Sequence, residues 1–75
     1  MTESLEPGPR LGEFVYDVAN GCVGEYRETH EGRVWLRPIG GGYEWTTEPG
    51  SVRRPTDAEL VRARVRAANR DSRTR

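Results

Sequence analysis

Between Arg33 and Trp45 the chain reads Arg-Val-Trp-Leu-Arg-Pro, then Ile39, three consecutive glycines, and Tyr-Glu-Trp. Alternating apolar and polar residues on both sides of a glycine run specify two antiparallel strands joined by a turn. Val34, Leu36, Trp45 and Val52 share one parity and are expected to face inward, leaving Trp35, Arg37 and Glu44 outward. Setting Leu36 opposite Trp45 also puts Trp35 opposite Thr46 and Arg37 opposite Glu44. A slip of one residue would bring Leu36 against Glu44 or Tyr43 and lose the charge pair, so core and surface favour the same register.

Turn signals recur at close spacing around this hairpin. Glu13 to Val18 reads as a first strand, Ala19-Asn20-Gly21 as a turn, and Cys22 to Arg27 as the return. His30-Glu31-Gly32 is a second turn, followed by Arg33 to Pro38, the glycine loop, Tyr43 to Thr47, a Glu48-Pro49-Gly50 turn and a short strand from Ser51 to Arg54. Five short strands of this kind predict a mainly β fold, a small five-stranded antiparallel SH3-like barrel over residues 11–54, whose closure limits exposed edges. In the first strand two parities compete, Phe14, Tyr16 and Val18 against Val15. With 75 residues, 33% hydrophobic and 32% charged, one thin core is the limit. Phe14, Tyr16, Tyr26, Trp35, Tyr43 and Trp45 are the large side chains available to build it.

After Pro55 the period changes. Thr56 and Glu59 have capping-box spacing and Asp57 lies in the first turn, so a single C-terminal helix is expected over Ala58 to Asn69, within a segment spanning 55–70. Leu60, Val61, Val65 and Ala68 form its apolar stripe, with Leu60, Val61 and Val65 expected to cover the barrel or to meet another copy. Arg64 interrupts the stripe, its stem placed over apolar surface and its head toward water or an acid of the barrel. Residues 1–10, with Pro7, Gly8 and Pro9 and no periodicity, are expected to be a disordered leader, and 71–75 a basic tail.

All twelve basic residues are arginine, and the net charge is zero. The balance hides a division: residues 53–75 carry eight arginines against three acids, a net +5, whereas 1–52 carry four arginines against nine acids, a net −5. Attraction between an acidic body and a basic segment is the plain consequence; a basic segment offered to nucleic acid or an acidic partner is the sharper one. The single Cys22 has no internal disulfide partner, and the N-terminus lacks a basic start and an apolar run. A cytoplasmic protein with no membrane partner is expected.

Gly12-Glu13-Phe14-Val15-Tyr16-Asp17, Gly21-Cys22-Val23-Gly24, and Leu36-Arg37-Pro38 followed by Gly40-Gly41-Gly42 and Glu44-Trp45 resemble a family of short actinobacterial proteins. The resemblance spans roughly Leu11 to Val52. It implies a small SH3-like barrel and an actinobacterial source, and transfers no activity. Gly12 to Gly24 is also similar to the strand, turn and glycine pattern of KOW-type barrels, which bind RNA or protein. The first hairpin departs from that pattern by carrying Glu13, Asp17, Glu25 and Glu28. Val15-Tyr16-Asp17 resembles part of the aromatic first motif of peptide-binding SH3 domains, but their later proline and tyrosine signature is missing.

Catalysis is not expected. Cys22 and His30 are too few for a zinc site, and Glu25, Glu28 and Glu31 read as a solvated acidic rim. Gly40-Gly41-Gly42 opens no helix and precedes no Lys-Ser/Thr pair, so it reads as a turn needing positive φ. Tyr16, Tyr26 and Tyr43 read as core edges with wet hydroxyls.

No cofactor is expected, and two binding functions remain. The first is a protein-interaction module, with a regulatory role as one form, which docks through barrel and helix on a larger partner or on a second copy. Its contact residues would be Trp35, Arg37, Tyr43 and Glu44. Trp35 has two readings, an uncovered contact or a residue beneath the helix beside Leu60 and Val61. The second function is nonspecific nucleic-acid binding through Arg62, Arg66, Arg70, Arg73 and Arg75.

Overall fold

The structure is a computed structural model that describes the backbone of residues 8–73 and the side chains of residues 8–69. Five antiparallel strands, β1 (Phe14–Asp17), β2 (Cys22–His30), β3 (Arg33–Pro38), β4 (Trp45–Thr47) and β5 (Val52–Arg53), precede one helix, α1 (Asp57–Arg73). The sheet order β4-β3-β2-β1-β5 is a four-strand meander whose first strand also takes up the last. The result is a curled half-barrel of SH3-like order. Met1 to Pro7 of the expected leader lie outside the described residues, as do Thr74 and Arg75 of the expected tail.

The curl comes from β2, which pairs with β1 over Cys22 to Glu25 and with β3 over Gly24 to His30. Between Tyr26 and Glu28 the register shifts by one, leaving Arg27 as the extra residue of a bulge. A bulge bends its strand and raises the local twist, so β2 can serve both halves of the sheet. Its return to β3 is a two-residue turn with Glu31 at φ 53° and Gly32 at 77°. Both central residues are left-handed, as a hairpin turn matching the strand twist requires.

The register expected for the central hairpin is present: Leu36 faces Trp45 and Trp35 faces Thr46. The expected pair of Arg37 and Glu44 does not form. Gly40, Gly41 and Gly42 all take positive φ, so the loop runs on through Tyr43 and Glu44 and β4 begins at Trp45. Glu44 bonds Arg27 at 3.5 Å instead.

The interior is smaller and more aliphatic than composition suggested. Val15, Val34 and Leu36 form the buried cluster, with Tyr26, Trp45 and Val52 packed against it. Val15 therefore wins the parity left open in β1, and Phe14 and Tyr16 are half-buried on the opposite face. Tyr43 is not a core edge, because at 96% exposed it projects from the glycine loop.

The helix begins as its capping box dictates. The Glu59 amide donates to Thr56 Oγ1 at 3.1 Å, and the Thr56 amide donates back to Glu59 Oε1 at 2.9 Å. Each side chain satisfies an amide that the first turn would otherwise leave unpaired. At its far end α1 continues to Arg73, past the expected stop at Asn69.

Candidate functional site

Asp17 ends β1 completely buried. Among the described residues no arginine forms an ion pair with it. Five hydrogen bonds converge on its carboxylate: the Trp45 indole N–H at 2.8 Å, the Thr47 hydroxyl at 3.1 Å, the Asn20 side-chain amide at 2.7 Å, and the Ala19 and Asn20 backbone amides at 3.1 and 3.4 Å. The two backbone bonds make a local turn of the kind Asp favours, and they set the path into β2. The bonds from Trp45 and Thr47 come from 28 and 30 residues away and tie β4 to β1 across the half-barrel. Burial pushes the Asp17 carboxyl up, but the bonds from Asn20, Trp45 and Thr47 outweigh it and hold the group below its ordinary value.

Trp45 is fixed from its other edge as well. Its ring lies over Gly24, where an added Cβ would come within 2.7 Å of Trp45 Cη2 and 3.0 Å of Leu36 Cβ. A glycine inside β2 is thus the space into which the indole packs.

A second chain of contacts clamps α1 to the sheet. Arg53 in β5 donates to both carboxylate oxygens of Glu59, at 3.1 and 2.8 Å. Its guanidinium lies 4.3 Å from the centroid of the Tyr16 ring, within cation–π range. Arg53 holds Glu59 down to about 2, aided by the Thr56 amide. Farther along, the Arg64 guanidinium sits 5.7 Å from the Phe14 ring centroid, so its head reaches an aromatic face rather than an acid.

These contacts decide which side of α1 meets the sheet. Its most extensive packing is against β2, and Leu60, Ala63 and Ala67 are the half-buried apolar positions. Val61 and Val65, expected beside Leu60 as the covering stripe, are 59% and 53% exposed on the other side. Leu60 and Val61 are about 100° apart around a helix, and the clamp at Glu59 selects the Leu60 side. Val61 consequently does not cover Trp35. Trp35 stands half-buried on the outer face of β3, facing Glu28 and Thr46.

Of the four expected barrel contacts, Trp35 and Arg37 share that outer face on alternate positions of β3. Glu44 pairs with Arg27, which also bonds Glu25 at 3.2 Å, the residue that faces Arg37 in the sheet register. Tyr43 projects separately. Among the arginines of α1, Arg62 and Arg66 line a groove between α1 and the sheet, and Arg64 engages Phe14. Arg70 and Arg73 lie on the last turns of α1, with side chains outside the described residues.

Asp17 is the residue that sequence reasoning missed. It stood among the surface acids of the first hairpin, whereas it is the polar centre of the fold. Among the described residues no group of three or more His, Cys, Asp or Glu side chains is placed to hold a metal ion. No helix among them is long and apolar enough to cross a membrane. Comparison with protein-family models, curated proteins and solved structures finds no match to the chain. The arrangement presents aromatic, aliphatic and guanidinium surfaces side by side.

Proposed function

We propose that the protein is a non-catalytic protein-interaction module of the cytoplasm, docking on a larger partner through α1 and the adjoining barrel. The main support is the outer side of α1. Ala58, Val61 and Val65 lie on successive turns of one face, and the two valines are more than half exposed in a fold whose buried aliphatic residues, among those described, are Val15, Val23, Val34 and Leu36. Apolar residues aligned in this way, with Asp57 and Arg62 beside them, suit a contact surface better than a solvated one. Trp35, Arg37 and Tyr43 add an aromatic and guanidinium component on the barrel, the residue types that dominate binding energy when a partner covers them.

The nucleic-acid reading has one observation in its favour, since Arg62 and Arg66 have no carboxylate partner among the described residues. Phosphate binding would show as a steep loss of affinity with salt. Titration with duplex DNA and RNA at low and moderate salt separates the two readings. Submicromolar binding at moderate salt that survives Trp35→Ala and Val61→Glu would replace the protein-module reading.

A further inference from the structure

The groove between α1 and the sheet has a volume of about 270 Å³. It exists because the helix turns facing the sheet carry Ala63 and Ala67, whose side chains are too short to fill the gap that the clamp at Arg53 and Glu59 sets. Pro38, Ile39 and Trp45 give it an apolar lining, and Arg62 and Arg66 stand along the helix wall. The volume lies near the lower end of ligand pockets, large enough for a single ring and little more.

Charge decides what such a groove accepts. Glu59 also lines it but is already engaged by both guanidinium nitrogens of Arg53. Asp17, behind Trp45, is saturated by five donors. Arg62 and Arg66 have neither an ion pair nor a hydrogen bond among the described residues. Two guanidiniums one helical turn apart and an apolar wall are therefore left for an incoming group. Guanidinium forks match planar carboxylate and phosphate oxygens, and the wall matches a ring. Burial and the charge of Asp17 push the Cys22 thiol up, against the pull of Arg66; the thiol in the wall is neutral and not poised for covalent chemistry.

We infer that this groove is a binding site for a small ring-bearing anion, its carboxylate or phosphate held by Arg62 and Arg66 and its ring seated against Trp45, Pro38 and Ile39. Apart from Arg62, which borders both, the groove and the docking face proposed above have different linings, so Ala63→Leu and Val61→Glu test them separately.

The experiment is an NMR titration of the full chain with phenyl phosphate, following the Trp45 indole N–H and the amides of Gly21 to Val23. Inorganic phosphate supplies the charge without the ring, and phenol the ring without the charge. The expected result is saturable shifts with phenyl phosphate at a dissociation constant of about 1 mM or tighter, corresponding to ~4 kcal/mol, with both controls at least tenfold weaker. Arg62→Gln/Arg66→Gln is expected to weaken binding at least tenfold while leaving the spectrum folded. Ala63→Leu fills the groove and is expected to abolish the shifts while thermal stability is kept or raised. Linear shifts that do not saturate, equal responses to phenol and phenyl phosphate, equal responses to inorganic and phenyl phosphate, or binding that survives Ala63→Leu would each overturn the inference.

Discussion

Replacing Asp17 tests how the half-barrel is held together. In Asp17→Ala five donors lose their acceptor, but they do not lose it equally. Ala19 and Asn20 are exposed and can turn to water, whereas Thr47 is buried and Trp45 is half-buried with its N–H directed inward at Asp17. Each inward donor loses a hydrogen bond to a charged group, a loss of about 1.5 to 3 kcal/mol. Asp17→Ala is therefore expected to destabilise by about 3 to 6 kcal/mol, and Asp17→Asn, which keeps one acceptor oxygen, by about half of that. A chain of 75 residues has in total only about 4 to 11 kcal/mol, at ~0.05 to 0.15 kcal/mol per residue.

Urea denaturation at neutral pH, followed by tryptophan fluorescence, measures the loss, with Asn20→Ala as a rim control expected below about 1 kcal/mol. The acid limb adds a second reading. Because the folded carboxyl titrates below its ordinary value, its contribution is present above about pH 4 and fades as pH falls through the folded value. Asp17→Asn is expected to flatten that part of the stability profile. If Asp17→Ala were no more damaging than Asn20→Ala, or if Asp17→Asn left the acid limb unchanged, the carboxylate would not be the tie between β1 and β4.

Three further substitutions probe separate joints. Gly24→Ala places a methyl group against Trp45 and Leu36 and is expected to lower stability by about 1 to 3 kcal/mol, with a changed near-ultraviolet tryptophan signal in circular dichroism. Glu31→Asn keeps the left-handed turn with a residue that tolerates it, and is expected to raise stability by a few tenths to about 1 kcal/mol in thermal melts. Thr56→Ala removes one half of the capping box and is expected to cost about 1 kcal/mol, with amide exchange accelerated first at Glu59 and Leu60.

Legibility in the sequence followed the range of the interaction. The capping box of Thr56 and Glu59 and the facing of Leu36 with Trp45 were readable because both rest on spacing within a turn or a hairpin. The five strands were readable for the same reason, through their turn residues. Tyr43 and Glu44 were misplaced because three glycines in positive φ lengthen the loop at the expense of β4, and local alternation carries no signal for where pairing resumes. Asp17 was unreadable as a core residue because its decisive donors arrive from Trp45 and Thr47. Only Asn20-Gly21 just after it hinted at a side chain bonding back to its own turn. The choice of Leu60 over Val61 depended on Arg53 gripping Glu59, a tertiary contact that helical periodicity cannot supply.

The proposed docking role of α1 is tested most directly by quantitative capture from a nuclease-treated lysate of the source cells, with wild-type protein and Val61→Glu/Val65→Glu as paired baits. Both valines are exposed, so the double variant is expected to keep its wild-type melting temperature and remain a fair comparison. The expected result is a defined protein retained by the wild type at stoichiometric level, lost from the valine variant, and recovered as a direct complex when the two purified proteins are mixed. Equal retention by both baits, or a protein retained only when the nuclease is omitted, would contradict a protein-docking role for this face.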